Sequence, residues 1–201
     1  MRTLHLVRHP RTTAAPGRCY GWSDFPLSDE GRSAAHALAD SFASRSVDAL
    51  YSSPLSRALE TSRLIGRATG RDVTTLSELA EVNFGLFEGK TFEEIASTDP
   101  DTYRRWMSSP SRVRFPEGES HADLRVRAAR ALGVLTEQAG ESVVVVSHAG
   151  PIRAIIAEAV GIDDDVVFRF DLLEGSVSVI EWRAGVACLR ALNVGAAGGP
   201  R

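Results

Sequence analysis

The sequence predicts an α/β fold, a three-layer α/β/α sandwich with helices on both faces of a mostly parallel sheet. Strand-like apolar runs alternate with amphipathic helical segments through most of the chain, and this alternation is typical of parallel sheets covered by helices. Two of the apolar runs end next to a histidine, His9 and His148. Because ligands of open α/β sheets bind beyond the carboxyl ends of the strands, we expect both histidines at one site for a small anion.

Length and composition predict one domain. The chain has 201 residues, of which 43% are hydrophobic and 24% are charged, and this is enough for one α/β core. Residues 1–194 are predicted to form the domain, and residues 195–201 a flexible tail. The apolar runs, such as residues 143–146, are too short to span a bilayer.

Charge and cysteine content limit the partners. The formal net charge of -3 gives no general attraction to nucleic acid or to anionic membranes, so neither is expected as a partner. Cys19 and Cys188 lie far apart without metal-ligand spacing, which indicates a reducing compartment. We expect a cytoplasmic monomer or homodimer.

The first half predicts two strand–helix units. Ser28 is a good N-cap, and Asp29 and Glu30 suit the first turn of the helix that follows. Ser53 and Pro54 are typical of an N-cap followed by proline at the first helical position, so Arg57 falls in the first turn or so of the next helix. The predicted elements are a strand over 3–7, a helix over 28–44, a strand over 47–51 and a helix to about 69.

The second half predicts a lid and the rest of the sheet. Residues 91–119 form two short helical patches and a Pro-rich connector, the expected lid-like insertion. Ser120 and Asp123 have capping-box spacing. Ala184-Gly185 predicts a terminal hairpin that makes one end strand antiparallel. The remaining predicted elements are a helix over 120–139, a strand over 142–146, a helix from near 151 to about 160, and strands over 176–182 and 186–192.

Five motifs occur in order over nearly the whole chain. They are Leu6-Val7-Arg8-His9, Ser52 to Ala58, Glu78 to Glu81 with Phe84 to Gly89, Gly118-Glu119-Ser120, and Val146 to Gly150. Together they resemble the motifs of the histidine phosphatase superfamily, in its phosphoglycerate mutase-like branch. The resemblance implies a phosphoglycerate mutase-like fold and a metal-independent phosphomonoesterase, without cofactor, that works through a phosphohistidine intermediate. Its expected partner is a small phosphorylated metabolite.

The chemistry of a phosphoryl dianion explains the basic residues of these motifs. Fixed guanidinium charge is needed to hold the phosphoryl oxygens, and Arg8 and Arg57 supply it. The same charge disfavours protonation of His9, which leaves a ring nitrogen free to attack phosphorus. His148 would donate to a phosphoryl oxygen, and the helix that starts beside it would add its N-terminal dipole. The predicted phosphate ligands are Arg8, Arg57, His148, Thr12 and Ala149.

An alkoxide leaves readily only when it is protonated, so a carboxylic acid is needed beside the leaving group. The resemblance assigns this role to Glu81. Glu78 and Glu88 lie nearby, and sequence separates them from Glu81 only through the family pattern. Arg57 could also form an ordinary ion pair, with Glu60 or with Glu81.

The chain departs from the family pattern after the nucleophile. Most members have glycine there, then Glu-Thr, and asparagine three residues beyond the threonine. This chain has Pro10, Arg11-Thr12 and Ala15. Pro10 lacks an N–H and restricts His9 towards an extended backbone. A catalytically decayed, phosphate-binding regulatory protein is therefore one alternative function.

Hydrolysis is favoured over mutase activity because family mutases carry a longer, Pro-rich insertion that this chain lacks. Residues 17–21 and 168–176 resemble α-ribazole-phosphate phosphatases of cobalamin lower-ligand assembly, which suggests α-ribazole 5'-phosphate as substrate. A broad-specificity sugar-phosphate phosphatase is the second alternative. The predicted leaving-group contacts are Arg18, Tyr20, Gly21, Trp22, Phe84 and Arg114.

Other polar residues are given ordinary roles. The run Asp163-Asp164-Asp165 is expected to be a solvated loop, since adjacent carboxylates point in different directions, and no metal site is predicted. His5 and His36 are expected to be structural or surface residues. His121, beside the Gly-Glu-Ser motif, is expected at the rim of the pocket.

Overall fold

The computed structural model describes residues 2–137 and 140–195. They form a six-stranded sheet in the order β3-β2-β4-β1-β5-β6. The strands are β1 (Arg2–Arg8), β2 (Ala49–Ser52), β3 (Val73–Thr75), β4 (Ser142–Ser147), β5 (Ser176–Arg183) and β6 (Val186–Gly195); the helices are α1 (Asp29–Phe42), α2 (Ser56–Thr69), α3 (Phe92–Thr98), α4 (Pro100–Ser108), α5 (His121–Glu137) and α6 (Ala149–Val160).

The mostly parallel, three-layer architecture is confirmed. β4 is a run of valines buried on both faces, which is typical of a central parallel strand. Val144 and Val146 pack towards α1 and α2 in one apolar cluster, while Val143 and Val145 pack towards α5 and α6 in another. The two clusters lie on opposite faces because successive side chains of a strand alternate.

The position of the reversed strand differs from the prediction. β1, β2, β3 and β4 run parallel, but β5 is antiparallel to β1 and β6 is antiparallel to β5. The reversed strand β5 is therefore next to the edge, and the edge strand β6 runs in the same direction as β1. Ala184 and Gly185 join β5 to β6 with φ angles of 49° and 82°, the left-handed geometry of a tight hairpin turn.

The start of α2 is also a correction. The helix begins at Ser56, with Leu55 as an N-cap residue that gives no side-chain bond, so Ser53 is not the cap and Pro54 is not the first helical residue. Asp24 caps the helix from a distant loop, because its carboxylate accepts from the Ser56 N–H at 3.0 Å. The hydroxyl of Ser53 is used elsewhere. Arg57 still lies in the first turn.

Other boundaries follow the prediction closely. Ser28 caps α1 through the Gly31 N–H at 3.0 Å, and Ser120 and Asp123 exchange capping bonds at the start of α5. α3 and α4 are the two helical patches of residues 91–119. The edge strand β3 was not predicted. Gly195 is the last residue of β6, so the predicted tail does not begin at residue 195. Residues 138, 139 and 196–201 lie outside the described residues, and with them the predicted end of α5.

Within 2–137 and 140–195, none of the helices has the length and apolar character that crossing a bilayer requires.

Candidate active site

The two strand-end histidines meet beyond the carboxyl edge of the sheet. Arg8 and Ser147 are register partners at the ends of β1 and β4, so the next residues, His9 and His148, emerge side by side. Their ring centroids are 4.9 Å apart at an interplanar angle of 62°. Parallel pairing of neighbouring strands is what brings together two residues 139 positions apart in sequence.

His9 is held as a neutral imidazole with one nitrogen free to react. The ring is buried, and Nδ1 lies 2.7 Å from the Pro10 carbonyl oxygen. A carbonyl only accepts, so Nδ1 is the donor and Nε2 keeps the lone pair. Burial, then the charges of Arg57 and Arg8, hold the pKa of His9 well below its usual value. Nε2 therefore has the electronic state of a nucleophile.

Arg57 is fully buried and rigidly held. Its Nη2 donates to the Gly21 carbonyl at 2.6 Å and its Nη1 to the Ser23 carbonyl at 3.2 Å. The nearest carboxylate is that of Asp24, at 3.5 Å. Glu60 instead accepts from Arg32, so the expected alternative of an Arg57–Glu60 pair is not what the structure contains. The guanidinium is thus a fixed charge at the base of the site.

His148 is a neutral donor in this arrangement. Its Nδ1 accepts from Nε of Arg57 at 3.2 Å, so the ring proton is on Nε2, which donates to the Ser53 hydroxyl at 2.7 Å. Burial is the largest reason that the pKa of His148 is well below its usual value. Sequence reasoning missed Ser53 as a site residue because its position before a proline suggested a helix cap.

Arg8 contributes an N–H group that is available to an anion. Nη1 donates to the Leu172 carbonyl and Nη2 lies 3.5 Å from the Glu174 carboxylate. Nε is buried without a hydrogen-bond partner among the described residues, and a buried unpaired donor is costly unless a ligand satisfies it. We call His9, Arg8, Arg57, Ser53 and His148 the cradle.

Glu81 lies against the start of α6, close to His148 of the cradle. Its Oε1 accepts from the Val82 N–H at 2.8 Å and from the Gly150 N–H, in the first turn of α6, at 3.2 Å. The neighbouring carboxylates serve other purposes. Glu88 accepts from the backbone N–H groups of residues 21, 22, 23 and 84, and Glu78 bonds to the Ser77 hydroxyl. The three carboxylates therefore differ in their hydrogen-bond partners, a difference that the sequence alone does not reveal.

A salt bridge behind Glu81 holds its loop. Arg127 donates to the carbonyls of Glu78, Ala80 and Glu81 and pairs with Glu119 at 2.8 Å. Glu119 also accepts from the Asn83 N–H at 2.8 Å. The Gly-Glu-Ser motif therefore anchors the loop that carries Glu81.

A cavity of about 190 Å³ opens next to Glu81, and we call it the side cavity. Most of its wall is apolar or aromatic, and its ionisable lining groups are Glu81, His121 and Arg153. His121 lies in the wall, as predicted, with Nε2 3.0 Å from the Asp164 carboxylate. Arg153 was not predicted, although a charged residue within the apolar sequence of α6 is a signal that could have revealed it. The lining is Glu81, Val82, Phe84, Trp106, Pro110, Phe115, His121, Leu124, Ala149, Gly150, Arg153 and Phe168.

Only one of the six predicted leaving-group contacts, Phe84, lines the side cavity. Arg114 is bound at the surface by Asp123 at 2.7 Å, and Arg18 donates to the Gly89 carbonyl. Trp22 is exposed and donates to the Glu81 carbonyl at 2.9 Å.

The last two predicted contacts support Arg57. Tyr20 lies 5.2 Å below its guanidinium carbon, and Gly21 gives it a carbonyl. A Cβ at Gly21 would overlap the Val82 carbonyl oxygen, so glycine is required by space. Of the predicted phosphate ligands outside the cradle, Thr12 is buried and donates to the Tyr20 hydroxyl at 3.0 Å, and Ala149 lies in the cavity wall at the start of α6.

Comparison with known proteins gives consistent matches. Residues 4–195 match the model of the histidine phosphatase superfamily, branch 1. Phosphoserine phosphatase 1 of Hydrogenobacter thermophilus is 33% identical over 196 residues, which cover 96% of this chain and 93% of that protein. A probable phosphoglycerate mutase, GpmB of Yersinia enterocolitica, is 29% identical over 91% of this chain and 86% of its own. The α-ribazole phosphatase of Shigella flexneri superposes with a TM-score of 0.87 at 28% identity, over 99% of both chains.

Proposed function

Because the chain belongs to the histidine phosphatase superfamily, we propose that it hydrolyses phosphomonoesters through a phosphohistidine intermediate on His9. One observation carries the proposal. A buried, neutral imidazole with a free Nε2 lies among two arginines and a second histidine. Such a site attracts a phosphoryl dianion and presents a nucleophile to it.

The first step transfers the phosphoryl group to the protein. Nε2 of His9 attacks phosphorus as the ester P–O bond breaks. Arg8 and Arg57 stabilise the charge on the phosphoryl oxygens, and the Nε2–H of His148 turns from Ser53 to one of them. The carboxylic acid of Glu81 gives its proton to the departing oxygen, so the product leaves as a neutral alcohol.

The second step regenerates the protein. Water enters the space that the alcohol vacates and attacks phosphorus, and the P–N bond to His9 breaks. The carboxylate of Glu81 takes the proton of this water, which returns it to its starting state. In this scheme the arginines supply the charge that a metal ion would otherwise supply, and we propose that turnover is metal-independent.

Two relatives suggest different substrates. α-Ribazole 5'-phosphate is one candidate, after the Shigella flexneri enzyme, and the aromatic wall of the side cavity would suit its base. Phosphoserine is the other, after the Hydrogenobacter thermophilus enzyme. The volume of about 190 Å³ lies below the roughly 300–1,000 Å³ of pockets for drug-sized ligands, which favours the smaller leaving group.

The test is hydrolysis of p-nitrophenyl phosphate in excess EDTA by the wild type, His9→Ala and a matched control, His36→Ala. His36 is an exposed histidine of α1. We expect turnover that falls about 10⁴-fold in His9→Ala and is retained in His36→Ala, with phosphate on His9 found by mass spectrometry after alkaline quench. A wild type that binds phosphate but hydrolyses no ester would favour the regulatory alternative.

The cellular location is proposed on chemical grounds. Cys19 is buried and Cys188 half-buried, and both are free thiols. Free cysteines are usual in reducing compartments, so we propose a cytoplasmic protein, to be checked by cell fractionation.

A further inference from the structure

Arg153 is a cation in the side cavity without a carboxylate partner. Its Nη2 donates to the Phe170 carbonyl at 3.2 Å, and its Nε is buried without a hydrogen-bond partner among the described residues. The guanidinium carbon lies 5.2 Å from the ring centre of Phe168 and 5.9 Å from that of Phe170. The side chain is therefore oriented by two aromatic rings and one carbonyl, with donors left over.

Each of the other arginines near the site has a carboxylate oxygen within 3.5 Å. Arg8 faces Glu174, Arg57 faces Asp24 and Arg127 faces Glu119. Within residues 2–137 and 140–195, no carboxylate oxygen lies within 4 Å of a nitrogen of Arg153. Burial lowers the pKa of this guanidinium, and the Glu81 and Asp171 carboxylates oppose that shift without forming an ion pair with Arg153. A half-buried cation that lacks a close ion pair is costly.

The position of Arg153 relates it to the leaving group. Arg153 and Glu81 line the same cavity, and Glu81 is the proposed donor to the leaving oxygen. Because Glu81 lines the side cavity, we place the alcohol of a substrate there when its phosphoryl group lies in the cradle. The apolar wall accepts a short carbon chain, and the guanidinium offers the only strong cation in this wall as the structure describes it.

We propose that Arg153 binds a carboxylate on the leaving group, so that the substrate is a phosphorylated hydroxy acid or amino acid of a few carbon atoms. The proposal rests on the proposed function and adds the residue that selects the substrate. A planar guanidinium with free N–H groups pairs with a carboxylate through two parallel hydrogen bonds. Neutral alcohols of equal size would leave the cation unpaired.

Matched pairs of esters test this selectivity. 3-Phosphoglycerate and glycerol 3-phosphate differ mainly by a carboxylate in place of a hydroxymethyl group, and O-phosphoserine differs from O-phosphoethanolamine by its carboxylate. We expect the wild type to prefer the carboxylated member of each pair by about tenfold or more in kcat/KM for phosphate release, and to prefer both to α-ribazole 5'-phosphate.

Arg153→Met keeps the apolar volume of the side chain and removes its charge. We expect the preference within each pair to fall to about threefold or less. Arg63→Met is the control, because Arg63 is exposed on α2, and it should keep the wild-type preference. Equal kcat/KM values within both pairs for the wild type, or a preference that survives in Arg153→Met, would overturn the proposal.

Binding separates this proposal from the proposed hydrolysis. Calorimetric titration of His9→Ala with 3-phosphoglycerate and with glycerol 3-phosphate measures recognition without turnover. Tighter binding of the carboxylated ester, lost in His9→Ala/Arg153→Met, supports the role of Arg153 even if no ester is hydrolysed. Equal affinities overturn that role, while turnover of p-nitrophenyl phosphate by the wild type would leave the hydrolytic function intact.

Discussion

The cradle and the side cavity lie next to each other and are built on opposite principles. In the cradle the polar side chains bind mainly to one another and to nearby carbonyls: Arg57 to Gly21 and Ser23, and His148 to Arg57 and Ser53. In the side cavity the walls are mostly apolar. Each region has one arginine whose Nε is buried without a partner among the described residues, Arg8 in the cradle and Arg153 in the cavity. The cradle holds several polar and charged groups in fixed positions, whereas the cavity has one cation, Arg153, that is left to pair with a ligand.

The difference between the two regions suggests that the cradle serves the reaction and the side cavity serves substrate recognition. A polar network whose groups are mostly satisfied is rigid and stabilises developing charge without rearrangement. An apolar chamber with one cation tolerates changes of shape but discriminates charge. Mutations in the cradle should therefore reduce turnover of every ester, whereas mutations in the cavity should change the order of substrates.

The largest effect is expected for Arg57→Met. Loss of its charge should lower kcat/KM for p-nitrophenyl phosphate about 10³-fold. The free energy of unfolding should fall by about 3 kcal/mol, because two carbonyls and the Asp24 carboxylate lose a buried partner. Steady-state kinetics and urea unfolding measure both. Arg67→Met, an exposed site on the same helix, should change neither, and a loss of activity under tenfold would contradict a rigid cradle.

Glu81→Gln should distinguish leaving groups. For an alkyl phosphate, kcat/KM should fall by about 10²-fold or more, since the alkoxide receives no proton. For p-nitrophenyl phosphate it should fall far less, because nitrophenolate leaves unprotonated. Phosphorylated protein should then accumulate, since water loses its base. Glu78→Gln, on the surface of the same segment, is the control; equal losses on both esters would remove Glu81 from the role of acid.

A cavity substitution should have a smaller and more selective effect. Trp106 packs on Phe84 at 5.5 Å and on Phe115 at 5.0 Å between ring centres. Trp106→Ala should raise KM about tenfold for the preferred ester through lost contact area, while inhibition by inorganic phosphate changes less than twofold. Met107→Ala, at an exposed neighbour, controls for disturbance of α4. A matching loss of phosphate affinity would show that cavity and cradle are not separable.

The smallest effect concerns pH. Burial and two arginines lower the pKa of His9, so the ring stays neutral at a pH that would protonate an ordinary histidine. Once kcat/KM is corrected for ionisation of the ester, it should not fall as pH decreases from 7.5 to 6. A pH–rate profile measures this, and a decline centred near 6.5 would contradict the neutral nucleophile.

The cradle could be predicted from sequence to a greater extent than the cavity, for physical reasons. His9 and His148 follow the two most regular strands, and parallel pairing fixes their meeting. Ser53 was not predicted as a site residue, because a serine before a proline has the same sequence pattern whether it caps a helix or binds a histidine. The residues that line the side cavity, such as Trp106, Phe168 and Arg153, come from separate segments. No local repeat of apolar residues in the sequence shows that they meet.

The errors in the fold have similar causes. Asp24 caps α2 across 32 positions, so no local signal marks the start of that helix. β3 has only three residues, at the edge of the sheet, and these are too few to show the alternation of apolar and polar residues that predicts a strand. Arg18 and Arg114 were predicted as leaving-group contacts, but Gly89 and Asp123 bind them elsewhere.

The bond from Nδ1 of His9 to the Pro10 carbonyl has a regiochemical consequence for the proposed intermediate. An imidazole can carry phosphate on either nitrogen, and the two positional isomers differ in stability and in phosphorus NMR shift. Because the backbone of Pro10 occupies Nδ1, we expect only the Nε2 isomer to form while the fold is intact. The proline that breaks the family pattern would thus set the position of the phosphate, since proline lacks the backbone N–H but keeps the carbonyl.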